Sequence, residues 1–313
     1  MTPVAMAPAV SVIVPSFQGA ARLPVLLEAL RCQMTPRLWE VVVVLDGSTD
    51  ASTAVLERVG EGTPLRVLSL EQNRGPAVAL NVGFREARGQ ILIRCDDDLR
   101  PGPRYVERHA SWHDKATDTA VIGLTRNKYG PGRFGAVYGR QADQLQRAQA
   151  YATPEARRWI HWAANCSVRR ELWDRIGPYD ESFRRGQDSE WGGRLFRAGA
   201  RIVIDPQLEV DHLKPATNAT CRLAQAFESG KTVARRDRRH GSAQQETDSG
   251  VKARVWAALV SAGGRWCSAG GLRDIGHGID KLLPFLPSRL AYLLIAWGVD
   301  SAARAGDRAA RRG

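Results

Sequence analysis

Trp39 to Asp50 reads WEVVVVLDGSTD. Four consecutive valines and a leucine leave no polar alternate position, so a strand made of them must be covered on both faces, as strands of parallel sheets are. The run stops at Asp46-Gly47-Ser48, residues that turn a chain and cap the helix that follows. The same unit recurs on either side. Val10 to Val14 reads as a buried strand followed by helical spacing over Leu23 to Leu30; Leu65 to Leu70 is a third strand, Ala77 to Ala87 a helix, and Ile91 to Ile93 begins a fourth strand. Apolar β-branched strands separated by helices of about ten residues make βα units and a mostly parallel sheet with helices on both faces.

Sheets of this kind bind ligands beyond the carboxyl ends of their strands. Pro15-Ser16, Asp46-Gly47-Ser48 and Asp96 to Asp98 therefore share one rim. The last group belongs to ILIRCDDDLRPG, Ile91 to Gly102. Three adjacent carboxylates repel one another, and a bound cation would offset that cost; a solvated turn closed by Pro101 and Gly102 is the other account. With Asp46 on the same rim, a polar ligand explains the cluster better. G-x-G-x-x-G after the first strand and G-x-x-x-x-G-K-[ST] anywhere are both absent, so a nucleotide would be held by other means. Asn73, Gly75, Asn81 and Gly83 supply either ligand approach or close packing around the third helix.

The chain has 313 residues, 43% of them hydrophobic and 25% charged, enough for a large core and against wholesale disorder. Its formal charge of +12 calls for anionic partners: a nucleotide phosphate, a nucleic acid or an acidic membrane surface. Cys32, Cys95, Cys166, Cys221 and Cys267 are odd in number and widely spaced, which argues against a disulfide scaffold or zinc knuckle and suits a reducing compartment. MTPVAMAPAVSVIVPS lacks the basic region and apolar run of a signal peptide. No apolar run approaches the roughly 18 residues of a membrane span.

Downstream, the glycines of Lys128 to Ala150 suggest a mobile or turn-rich loop, in which Tyr129, Phe134 and Tyr138 either touch a ligand or anchor the loop. Helical character resumes over Glu155 to Trp162. Asp188 stands at the start of a helix pattern through Trp191, Leu195 and Phe196, where a carboxylate serves as a cap or as an active-site base; Glu190, two residues on, points elsewhere. Ile202 to Ile204 is another short strand and leads toward His212. From about Ala216 the composition changes: a basic cluster at Arg235, Arg236, Arg238 and Arg239, polar residues suited to a flexible segment, a helix around Trp256, and another from Ser288 to Ala303. Basic residues beside apolar helices fit a membrane surface, packing on the main domain, or a second subunit.

Taken in order, these segments resemble glycosyltransferase family 2. SVIVPSF (Ser11 to Phe17) is similar to its opening strand, VVVVLDGSTD (Val41 to Asp50) to its second strand and acidic turn, and NRGPAVALNVG (Asn73 to Gly83) to its next helix. CDDD (Cys95 to Asp98) occupies the place of its D-x-D motif, with Asp96 and Asp98 as the spaced pair. Asn165 and Arg169 match its acceptor-side strand, GPYDE runs from Gly177 to Glu181, and GQDSEWGGRLFRAG (Gly186 to Gly199) matches the region of its catalytic acid. The resemblance covers about residues 9 to 213 and has two departures: Leu45 stands where an acid is common, and Gln187 where an acid often precedes the catalytic aspartate.

The resemblance implies an α/β GT-A fold, a mostly parallel Rossmann-like sheet flanked by helices. It would comprise a catalytic domain over 1–215 (nucleotide-binding half about 9–100, acceptor-side half about 101–215) and a basic, mainly helical extension over 216–313. It implies an inverting, metal-dependent transfer of a sugar from a nucleoside diphosphate to an acceptor hydroxyl, UDP- and dTDP-linked donors being the candidates. Pro15, Ser16, Phe17, Asp46, Asn73, Asp96 and Asp98 would hold the donor; Asp98, Asp96 and His212 would hold Mg²⁺ or Mn²⁺; Asp188 would be the general base; Asn165, Arg169 and Gln187 would lie toward the acceptor or diphosphate. The expected location is cytoplasmic, with the extension meeting the inner face of the membrane or a second copy. A non-catalytic nucleotide-sugar-binding module is the alternative. A nucleic-acid binder is more remote, because the acidic rim would repel a phosphate backbone.

Overall fold

The computed structural model describes residues 7–183, 185–240, 250–266 and 271–312. Cys267 and the polar residues 241–249 lie outside them, as does the side chain of Arg239. The chain forms two compact units, Met1–Arg126 with Gln149–Leu213, and Asn127–Ala148 with Lys214–Gly313.

The first unit opens with β1 (Val10–Ser16), α1 (Leu23–Arg31), β2 (Trp39–Asp46), α2 (Ser52–Val59), β3 (Leu65–Leu70), α3 (Pro76–Glu86) and β4 (Ile91–Cys95). It continues with β5 (Leu99–Arg100), α4 (Tyr105–Trp112), β6 (Thr119–Ile122) and β7 (Thr125–Asn127). After α5 (Arg140–Tyr151), most of which belongs to the second unit, come β8 (Asn165–Arg169), α6 (Arg170–Ile176), α7 (Gln187–Arg197), β9 (Arg201–Ile204) and β10 (Val210–His212). Seven strands form one sheet in the order β3-β2-β1-β4-β8-β6-β9, and a small sheet runs β5-β10-β7. The four strands β3, β2, β1 and β4 are parallel, whereas β8 runs antiparallel to both neighbours. The mostly parallel sheet expected from the sequence is thus present, with one reversed strand inside it.

Period-two geometry accounts for the unbroken valine run. Val41, Val43 and Leu45 join the core with Leu26 of α1 and Leu56 of α2, while Val42 and Val44 face Ala79 of α3 on the other side. Each buried side chain of this size stabilises by roughly 1.5–3 kcal/mol. A polar residue at either parity would lose that contribution. Leu45 therefore points into the core, and its position would not bring an acid to the rim. At Gly47 the backbone takes φ 64°, and a Cβ there would come within 2.3 Å of the backbone at Gln72 and Asn73, so the turn after β2 requires glycine.

The second unit contains α8 (Ala219–His240), α9 (Val251–Trp266), α10 (Gly271–Leu282) and α11 (Ser288–Arg312). Leu223 and Ala226 of α8, Ile279 of α10, and Ile295 and Val299 of α11 share its core with Phe134 and Tyr138. This corrects the turn-rich loop expected over Lys128 to Ala150. Gly135–Gly139 is a single π-helical turn leading into α5. A Cβ at Gly135 or Gly139 would come within 2.9 or 2.6 Å of the Tyr129 side chain, so these glycines make room for a ring instead of loosening the chain. The segment 127–148, expected in the acceptor-side half, groups with the C-terminal helices because its aromatic residues are buried there. Cys95 and Cys166 are buried thiols, while Cys32 and Cys221 are exposed ones. Among the described residues no helix is long and apolar enough to cross a membrane.

Candidate active site

The carboxyl ends of β1, β2 and β4 border a cleft of about 540 Å³. All seven residues expected around a donor line it: Pro15, Ser16, Phe17, Asp46, Asn73, Asp96 and Asp98. They converge because parallel strands in register end together, and β1 and β2 each run past their apolar stretch to a polar residue, Ser16 and Asp46. Arg22, Arg94 and Arg185 also line the cleft.

Each rim carboxylate has its own partner. Asp97, unassigned by sequence, is gripped by Arg22, whose Nε and Nη2 donate to its two oxygens at 2.8 Å each, and it accepts from Ser16 Oγ at 2.6 Å. Such two-point guanidinium pairing is geometrically stiff. Asp96 receives Nε and Nη2 of Arg94 at 2.9 and 3.2 Å. Asp98 Oδ2 lies 3.2 Å from His212 Nε2, the proton lying on either group according to tautomer and charge. The pairing of His212 with Leu99 between β10 and β5 brings the two together. Asp98 is thus the member of the triplet with no guanidinium hydrogen bond among the described residues.

Burial pushes the Asp96 carboxyl up to about 6, with Arg94 pulling the other way and the charges of Asp188 and Asp98 adding to the rise. For Asp98, burial also favours the neutral form, but the hydrogen bond and charge of His212, the charge of Arg22 and a backbone hydrogen bond together hold the carboxyl below its usual range. Asp46, expected at the donor, lines the cleft and is also held by the chain itself. Its two oxygens accept the backbone N–H groups of Arg74 and Gly75 at 2.8 Å each, so it fastens the loop that forms one cleft wall.

Asp188 lies in the first turn of α7, which the chain enters through Gly186 at φ 90°. Its carboxylate pairs closely with Nη1 of Arg94. One buried guanidinium therefore joins Asp96 on the rim to Asp188 at the helix start. Glu190 points away, as expected, and pairs with Arg194 one turn on. Arg94 was not among the expected site residues, although the sequence carried a signal for it. In ILIRC every neighbour is apolar, and a charge in a strand covered on both faces must find a partner.

The acceptor-side expectations fare differently. Asn165 is buried and turned inward, donating to Leu208 O at 2.7 Å and bonded to His109 Nε2 at 3.0 Å. Arg169 donates to the backbone carbonyl of His113. Because β8 is antiparallel, Asn165 pairs with Cys95 but Arg169 pairs with Ile91, at the opposite end of β4. At about 3.3 Å per residue that is roughly 13 Å from the rim end. Neither residue joins the cleft. Gln187 is 5% exposed, beside Asp188, and its Oε1 has no hydrogen-bond partner among the described residues.

Residues 11–176 match the family described as Glycosyl transferase family 2. Curated relatives include an undecaprenyl-phosphate 4-deoxy-4-formamido-L-arabinose transferase of Pseudomonas syringae, 31% identical over 38% of this chain and 36% of that protein. The succinoglycan biosynthesis protein ExoA of Rhizobium meliloti is 28% identical over 61% of this chain and 59% of its own. The chain spans between about a third and three fifths of the length of these relatives. Among solved structures, a mannosyltransferase from Pyrobaculum calidifontis in complex with GDP-Man and Mn²⁺ superposes with a TM-score of 0.64 at 23% identity, covering 96% of this chain and 88% of that one. S. aureus TarS 1-349 in complex with UDP-GlcNAc gives 0.54 at 19% identity, covering 97% and 92%. At these identities the likeness concerns the fold.

Proposed function

The chain belongs to glycosyl transferase family 2 and has the GT-A fold, and from that premise we propose that it is an inverting, metal-dependent glycosyltransferase using a nucleoside-diphosphate sugar and an acceptor hydroxyl. The observation that carries this reading is the Asp96–Arg94–Asp188 bridge, which joins the donor cleft to a carboxylate at a helix start.

In this reading the donor lies in the cleft against Phe17, Asn73 and the loop that Asp46 fastens. Its diphosphate meets Asp98, the member of the Asp96–Asp98 triplet left without a guanidinium hydrogen bond among the described residues. No group of three ligating side chains occurs among the described residues. Asp98 and His212 nevertheless suit Mg²⁺ or Mn²⁺, because such ions are commonly held by one or two protein ligands plus phosphate oxygens and water. When bound, the cation counters the charge that builds on the leaving diphosphate. Asp188 accepts the proton of the acceptor hydroxyl as its oxygen bonds to the anomeric carbon and the bond to the diphosphate breaks on the opposite face. Arg94 positions that base, since its guanidinium is buried and held from both sides. The same reading has the enzyme in the cytoplasm, within reach of its donor.

The test is a nucleotide-sugar binding and transfer screen on the purified protein, with and without Mn²⁺. Asp98→Ala should lose the metal-dependent part of donor binding. Asp188→Ala should keep donor binding and, with an acceptor found, lose at least about 100-fold in kcat. Unchanged metal-dependent binding in the first variant would remove Asp98 from the metal site. Transfer within a few-fold of wild type in the second would remove Asp188 as base.

A further inference from the structure

The charge of this protein is divided unevenly. The first unit holds 24 Lys and Arg against 24 Asp and Glu; the second holds 21 against 9, which is the whole formal excess of +12. Nucleotide binding does not account for this, because the cleft lies in the neutral unit.

Within the basic unit, α10 and α11 are joined by a three-residue 3-10 turn, Leu283–Phe285. Leu283 is buried in the helical core. Its neighbours face the other way: Phe285 is 84% exposed, Leu290 54%, Leu282 51% and Leu293 49%. Fraying does not explain that exposure. Arg133 donates from Nε to Leu283 O at 2.8 Å and from Nη2 to Leu286 O, and Pro284 and Pro287 restrict the backbone between these anchors. The turn is therefore a braced tip that presents large apolar side chains outward. Lys281 and Arg289 flank it, both exposed and without an ion pair among the described residues.

We propose that this tip docks the protein on an anionic lipid bilayer. Leu282 and Phe285 enter the headgroup boundary, with Leu290 and Leu293 following along α11, while Lys281 and Arg289 meet lipid phosphates. Two weak attractions combined give stable peripheral binding where either alone is marginal. Each basic residue at an anionic surface contributes several-fold in partitioning, and each inserted large apolar side chain about tenfold or more. The charge imbalance favours lipid over a second copy of the chain, because two such basic units would repel each other.

Sedimentation of the full chain with phosphatidylcholine vesicles, with and without phosphatidylglycerol, tests this. Wild type should pellet with the anionic vesicles only, and salt should release it. Leu282→Ser/Phe285→Ser should bind at least tenfold more weakly, and Lys281→Gln/Arg289→Gln should lose a similar factor. These side chains are exposed, so both variants should melt at the wild-type temperature, and a vesicle-binding loss at unchanged melting is the supporting result. Three outcomes would overturn the proposal: no binding by wild type, equal binding of neutral vesicles, or a serine variant within twofold of wild type. A dimer in solution that the serine variant dissociates, without vesicle binding, would assign the tip to a second copy instead.

Discussion

Replacing Arg94 by methionine keeps much of the side-chain volume but removes the cation between Asp96 and Asp188. Arg94 is 3% exposed, and β4 is buried along its length. Two carboxylates would then face the vacated charge position. Removing one partner of a buried ion pair costs about 3–5 kcal/mol. Asp96 and Asp188 keep 30% and 24% of their side-chain exposure, so water recovers part of this, and about 3 kcal/mol is expected to remain. For a unit of this size that lowers Tm by roughly 6–12 °C. Urea unfolding at pH 7 measures the loss, and a double-mutant cycle assigns it. With Asp188→Asn also in place there is one fewer stranded charge, so R94M/D188N should be more stable than the sum of the single losses by about 1–2 kcal/mol. Free energies that add within about 0.5 kcal/mol would mean that Arg94 and Asp188 do not interact in solution, and the shared guanidinium would fall with them.

Burial holds His109 down to about 4 and His113 to about 3, so both are neutral in the fold while the unfolded chain takes up protons near 6.5. Their contribution is complete above pH 6.5 and is lost as pH falls toward 4 for His109 and toward 3 for His113; in urea melts, His109→Gln should reduce that acid loss by on the order of 3 kcal/mol. Asp96 acts in the opposite sense, its raised value making stability fall as pH rises toward 6, so the comparison must be variant against wild type at each pH. Leu45→Asp, which would supply the acid common in the family, should destabilise by at least about 3 kcal/mol and leave nucleotide affinity no better. A stable variant with tighter nucleotide binding would contradict the core orientation of Leu45.

Much of the fold was readable because β2 and β4 announce two-sided burial in their composition, and the rim acids follow at the strand ends. What escaped the sequence has physical causes. A strand's direction is not written in its residues, so Asn165 and Arg169 could be matched to a site-facing strand while β8 turns one inward and carries the other to the far end. Asp46 looks like a ligand contact until the approach of Arg74 and Gly75, 28 and 29 residues on, supplies its hydrogen-bond donors. The glycines at 135 and 139 look like flexibility until Tyr129 is seen beside them. Arg94 was legible as an anomaly, a charge in an apolar run, but its second partner is 94 residues away.

The grip of Asp46 on its loop separates shape from lettering. It holds backbone N–H groups that nearly every residue possesses, so the path of the wall does not depend on which side chains stand there. Arg74, half exposed and within 3.7 Å of Glu181, is open to replacement, whereas Gly75, at φ 96°, is not. Asn73, exposed and lining the cleft, could likewise be rewritten without refolding the loop. Selection would act on specificity there while stability stayed in the keeping of Asp46.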